Sequence, residues 1–129
     1  MSNSLFWIYL VNVVLLILHE MDSTYWKEWN LFHLPGGLTG FLLIHFPLYC
    51  LGFYGLVLVS QGIAAGLIFS LVISLAGMGA FIIHTYFLRK GRPEFNVPFS
   101  KLLLLTVLVV SLAQAGITIY QLVISGSLK

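Results

Sequence analysis

The stretch LTGFLLIHFPLYCLGFYGLVLVSQGIAAGLIFSLVISLAGMGAFIIHTYFL, residues 38–88, holds no Asp, Glu, Lys or Arg. A bilayer core about 30 Å thick is crossed by roughly 20 apolar residues in a helix. The run is too long for one crossing, and its only polar break is Ser60-Gln61-Gly62. It therefore divides into two spans, 38–60 and 63–88, joined as an antiparallel helical hairpin. Working outward, 5–21 and 102–124 are apolar runs of spanning length. Lipid cannot satisfy free backbone groups, and membrane strands would alternate in polarity, which these runs do not. The reading is all-α: one transmembrane domain over residues 1–129, an integral membrane four-helix bundle.

Composition agrees. Of 129 residues, 60% are hydrophobic and 8% charged, with a mean hydropathy of +1.03. Soluble domains carry about 25% charged residues, so this chain cannot cover a water-facing surface. A formal net charge of +2 gives no reason to expect a nucleic-acid partner; the expected partner is the lipid bilayer. The opening MSNSLFWIYLVNVVLLILHEMD lacks the basic start and small-residue cleavage site of a signal peptide, and is read as a retained first span. Cys50 is the only cysteine, so it forms no intrachain disulfide and is expected to be a small buried apolar group.

Orientation follows from charge. Arg89, Lys90, Arg92 and Lys101 are four of the six basic residues and flank one short loop. Short basic loops stay cytoplasmic. That puts residues 22–37 on the cytoplasmic side with them, and the turn at 60–62 and both termini outside the cell membrane. Within residues 22–37, Tyr25, Trp26, Trp29 and Phe32 have helical spacing and headgroup preference. A short interfacial helix between spans one and two is expected, started at Asp22, Ser23 or Thr24 and ended by Pro35-Gly36-Gly37.

The same orientation brings three histidines to one level. Counted at 1.5 Å per residue, His19, His45 and His84 fall within roughly 5–11 Å of the cytoplasmic face. Glu20 and Asp22 are at that level too. Ionisable groups inside spans are costly, face the bundle interior and often mark function. Imidazole with carboxylate suits a divalent transition metal such as zinc or iron. The candidate ligand set is His19, His45, His84 and Asp22, with Glu20 or Asp22 as the proton-handling, catalytic group. Asp22 shares a helix face with His19, whereas Glu20 lies about 100° round the helix, so the two cannot point equally at one centre. The sequence HEMD is not H-E-x-x-H. The competing reading is that each histidine separately bonds a carbonyl or neighbouring helix near the interface. His33 is expected in solvent.

Other polar residues point inward. Asn12, Gln114 and Gln121 are expected to join helices by hydrogen bonds. Gly62, Gly66, Ser70 and Ser74, and Ser111 with Ala115, form small-residue stripes that permit close packing or a homodimer. Pro47, two residues after His45, removes a backbone donor and disturbs the carbonyl of Leu43.

The segments HEMDSTYWKEWNLF (19–32), GFLLIHFPL (40–48) and FIIHTYFL (81–88) together resemble an uncharacterised family of small four-helix bacterial membrane proteins. That family opens on a His-Glu-x-Asp…Trp-x-Glu-Trp pattern, which His19, Glu20, Asp22, Trp26, Glu28 and Trp29 match. His45 and His84 stand in the later helices where the resemblance leads one to look. The resemblance implies a bacterial integral membrane protein and brings no activity with it.

The leading expectation is a membrane protein with a His/carboxylate metal pocket at the cytoplasmic end of the bundle. Its catalytic version is metal-dependent hydrolysis of a lipid-like substrate. Two readings from other classes stand beside it. One is a bis-histidine haem electron-transfer protein. The other is a non-enzymatic small-molecule binder or a subunit of a membrane complex.

Overall fold

Ser2 starts the first helix: its Oγ accepts a hydrogen bond from the Leu5 N–H at 3.3 Å, which satisfies one of the free donors of the first turn. The computed structural model describes residues 2–127. Its helices are α1 (Asn3–Tyr25), α2 (Glu28–Leu31), α3 (Gly37–Ser60), α4 (Ala65–Arg89) and α5 (Pro98–Ser127). Among the described residues there are no strands. Four of the helices are long and apolar enough to cross a membrane, and the short helix stands between the first two of them. The all-α bundle expected from residues 38–88 is the observed fold.

The helix limits depart furthest from the apolar runs at two places. α1 continues past Met21 to Tyr25, so His19, Glu20 and Ser23 all stand on regular helix. α5 begins at Pro98 rather than near Leu102; proline suits a first helical position because its missing N–H would be unpaired there anyway. α3 runs unbroken through Pro47.

The turns use left-handed backbone. Lys27 has φ 53° and His33 has φ 55°, and Gly36 and Gly37 have φ 86° and 56°. Gly40 comes so close to the Pro35 carbonyl that any Cβ there would collide with it. Residues 26–37 thus fold back against the bundle end rather than trailing away.

Around the bundle the helices follow the order α1, α5, α4, α3, with α1 also touching α4 across the middle and α3 and α5 making no direct packing contact among the described residues. The Ser2–Gln121 hydrogen bonds join the start of α1 to α5. At that end Leu5, Tyr9, Val13, Val59 and Leu67 form an apolar core. At the opposite end a second core gathers Leu31, Phe95 and Leu104. It unites the 26–37 segment with the basic loop.

Between these cores the interior is polar. Asn12 Nδ2 donates to Gln114 Oε1 (2.8 Å) and to Ser111 Oγ (3.1 Å). Gln114 Nε2 donates to the Ser70 carbonyl (3.0 Å) and Oγ (2.9 Å). Ser70 and Thr118 share a hydroxyl contact at 2.7 Å. All are fully buried. This chain of bonds links α1, α5 and α4. The small-residue stripe packs within the bundle: Gly66 lies against Leu58 and Val59, and Gly77 against Ser111. Gln121 instead bonds Ser2 near the surface.

The outer surface is apolar. Leu43, Phe46, Phe53 and many like them are exposed, the reverse of a water-soluble fold. Cys50 corrects one expectation. It is exposed, because it shares the outward face of α3 with Leu43, Phe46 and Tyr54 at spacings of three and four.

Candidate metal centre

Three elements meet at the basic-loop end. α1 supplies His19, α2 supplies Glu28 and α4 supplies His84. Each offers one ligand-capable atom, and these atoms lie within 4.8 Å of one another. His19 and His84 are each 2% exposed and Glu28 is 8% exposed. The imidazoles meet edge to face, with centroids 4.8 Å apart. His84 Nε2 stands 3.4 Å from Glu28 Oε1.

The local chain explains how Glu28 arrives. α1 ends at Tyr25. Trp26 caps it by donating its backbone N–H to the Asp22 carbonyl. Lys27 then takes the left-handed conformation and reverses the chain. The next residue, Glu28, is thereby returned beneath the end of α1 instead of projecting outward. Leu31 on the same short helix is buried in the second apolar core, which holds the reversal in place.

An aromatic cover closes the cluster. Phe95, from the α4–α5 loop, is 1% exposed. Its ring lies 4.1 Å from that of His84 and 5.8 Å from that of His19. Phe32 approaches His84 from the other loop, at 6.1 Å. Both loops therefore close over the His84 imidazole, and Phe95 covers His19 as well.

Several polar atoms here lack partners. His19 Nδ1, His84 Nδ1 and Glu28 Oε2 are buried and make no hydrogen bond. Buried polar atoms are nearly always paired, by protein, water or an ion. Burial alone would push the Glu28 carboxyl up. The His84 imidazole, the nearby Ser23 hydroxyl and His19 outweigh that and hold it below its ordinary value. Glu28 is thus a carboxylate set between two imidazoles.

The remaining candidate residues lie elsewhere. His45 faces Glu20, with Nε2 2.9 Å from Glu20 Oε2. Its Nδ1 lies 2.7 Å from the Phe41 carbonyl, and its ring stacks on Phe41 at 4.0 Å. Asp22 accepts a hydrogen bond from Trp26 Nε1 at 3.1 Å, one turn along the helix. His33 is exposed. Of the three intramembrane histidines, the structure brings together His19 and His84. His45 and Glu20 form a separate pair, and Asp22 holds the tryptophan. Glu28 was not among the residues picked from the sequence. The available signal was its place in the Trp-x-Glu-Trp segment: a carboxylate between two tryptophans in a chain with four acids in all.

Comparison with known proteins yields a family and no activity. The chain belongs to a family of unknown function (DUF6713), whose model matches residues 5–121. No curated protein and no solved structure matches it.

Proposed function

We propose that this member of the family is an integral membrane metal-binding protein. In this reading His19, Glu28 and His84 hold a divalent transition metal, zinc or iron. The observation that carries it is the convergence of two imidazoles and a carboxylate, all buried and from three separate helices, with unpaired atoms among them. Metal–ligand bonds of about 2.0–2.2 Å bring two ligands on one ion to roughly 3.3 Å of each other. The 3.4 Å between His84 Nε2 and Glu28 Oε1 already matches that spacing. The His19 ligand atom lies within 4.8 Å of both. Two imidazoles and one carboxylate suit zinc, and also iron(II) with open positions.

The geometry lends no support to the hydrolytic version. Glu20 faces His45 and Asp22 binds Trp26, and neither proton-handling candidate is among the grouped ligand atoms of the cluster. Nor does it support a haem clamp. Axial imidazoles stand on opposite faces of a planar macrocycle, whereas His19 and His84 are in ring contact.

The test is elemental analysis of the chain purified in detergent under metal-replete conditions. Near-stoichiometric zinc or iron is expected in the parent chain and in His45→Ala. It is expected to be lost in His19→Ala, His84→Ala and Glu28→Gln. Metal that is absent from the parent, or that survives those three substitutions, ends the reading.

A further inference from the structure

A second feature, independent of the metal, lies between α1, α3 and α4. These helices enclose a cavity of about 290 Å³. From Val13 to Glu20 on α1 and from Ile68 to Ala80 on α4 it extends roughly 10–18 Å along the bundle, at 1.5 Å per residue. Its rim includes Leu48, Leu51, Ile68 and Val72, all exposed on the apolar outer surface. Its polar lining is confined to Glu20, His45 and Tyr49, toward the basic-loop end. Small residues leave the space: Gly52 on α3, and Ala76 and Ala80 on α4.

We propose that this slot binds a neutral, single-chain lipid-soluble alcohol, its chain along α4 and its hydroxyl at the Glu20–His45 pair. The shape argues for one chain with one head: apolar along most of its length, polar at a single end, open to the hydrocarbon. The charge argues for neutrality. The Phe41 carbonyl can only accept, so His45 Nδ1 carries a proton. Glu20 Oε2 stands 2.9 Å from His45 Nε2, so the carboxylate that lines the slot already faces an imidazole. No Lys or Arg lines the slot, so an anionic head would be buried without a counter-ion, at high cost. A cationic head would have to take Glu20 away from His45. A hydroxyl both donates and accepts, and can meet the carboxylate and the Tyr49 phenol together.

The test is photolabelling of the full chain in lipid nanodiscs. The probes are diazirine-bearing decanol, decanoic acid and decylamine, with peptide mass spectrometry as readout. Decanol is expected to label slot residues on α3 and α4 about tenfold more than either charged probe, the minimum discrimination that burying an unpaired charge implies. Excess unlabelled decanol should remove that signal. Ala76→Phe should abolish slot labelling, and Ala80→Leu, a smaller intrusion, should do so if the first variant fails to fold. Replacing Glu20 and His45 together by alanine should weaken decanol labelling at the basic-loop end of the slot, because the hydroxyl loses its polar partners there. Equal labelling by the three heads, or labelling unchanged by Ala76→Phe or Ala80→Leu in folded protein, overturns the proposal.

Discussion

His84 Nε2 and Glu28 Oε1 lie 3.4 Å apart, although one belongs to a membrane-length helix and the other to a one-turn helix between spans. The contact depends on a single left-handed residue, Lys27. Gly tolerates this conformation better than any residue with a side chain. Lys27→Gly is therefore expected to keep the metal, and Lys27→Pro, which cannot adopt positive φ, to lose it. Metal content of the two purified variants is the measurement.

Glu28 also gives a pH dependence. Its carboxyl is held below 4.5, its ordinary value, by His84, Ser23 and His19 against the opposing effect of burial. A folded-state value below the unfolded one means that its contribution is fully present above the ordinary value. It is lost as pH falls through the depressed one. Unfolding of the metal-free chain in detergent, followed from neutral pH to below 4.5, should show this loss, and Glu28→Gln should lack that component.

Phe95 closes both imidazoles from solvent while holding φ 63°. Phe95→Ala removes a buried ring and should cost about 3–5 kcal/mol. It should also speed metal release to a chelator in the variant that still folds. Stopped-flow transfer to a chromophoric chelator reads the second effect.

The buried polar chain predicts unequal costs for similar changes. Asn12→Leu leaves Ser111 and Gln114 without their α1 partner and should destabilise by about 1–2 kcal/mol, the scale of hydrogen bonds between membrane helices. Gly77→Ala sets a methyl against Ser111 Oγ and should cost about 1–3 kcal/mol through overpacking. Gly79→Ala meets nothing within 4 Å and should be neutral or stabilising by up to about 1 kcal/mol, since alanine is the better helix former. Unfolding midpoints in mixed detergent rank the three.

The two loops at the cluster must face the same side of a membrane. In a Cys50→Ala background, cysteines at Lys27 and Arg92 should react with an impermeant thiol reagent from one side, and a cysteine at Gln61 from the other. The basic loop assigns the first side to the cytoplasm.

Much of this was readable from span lengths and charge. Counting residues from the basic loop brings His19 and His84 to one level, and they meet there. Depth along a membrane helix is linear in sequence. The direction a side chain takes around its helix is not, because it depends on how each helix is rotated against its neighbours. His45 shares the level but turns toward Glu20 on α1 instead. Asp22 has the spacing to join His19, yet Trp26, four residues on, supplies a nearer indole donor. Glu28 was hidden for another reason. Its position follows from a backbone reversal at a lysine, a residue that carries no turn signal.

α3 stands outside the polar chain that binds α1, α4 and α5. Tyr9 reaches it with one hydrogen bond, to the Gly52 carbonyl at 3.0 Å, and Glu20 reaches it at His45. The other three helices form a stiff frame that carries His19 and His84. Among the described residues the Tyr9 and Glu20 contacts are the polar side-chain ties of α3 to that frame, and the rest of its hold is packing. If α3 swings outward into the lipid, the slot widens and Glu20 parts from His45, while His19 and His84 stay where they are.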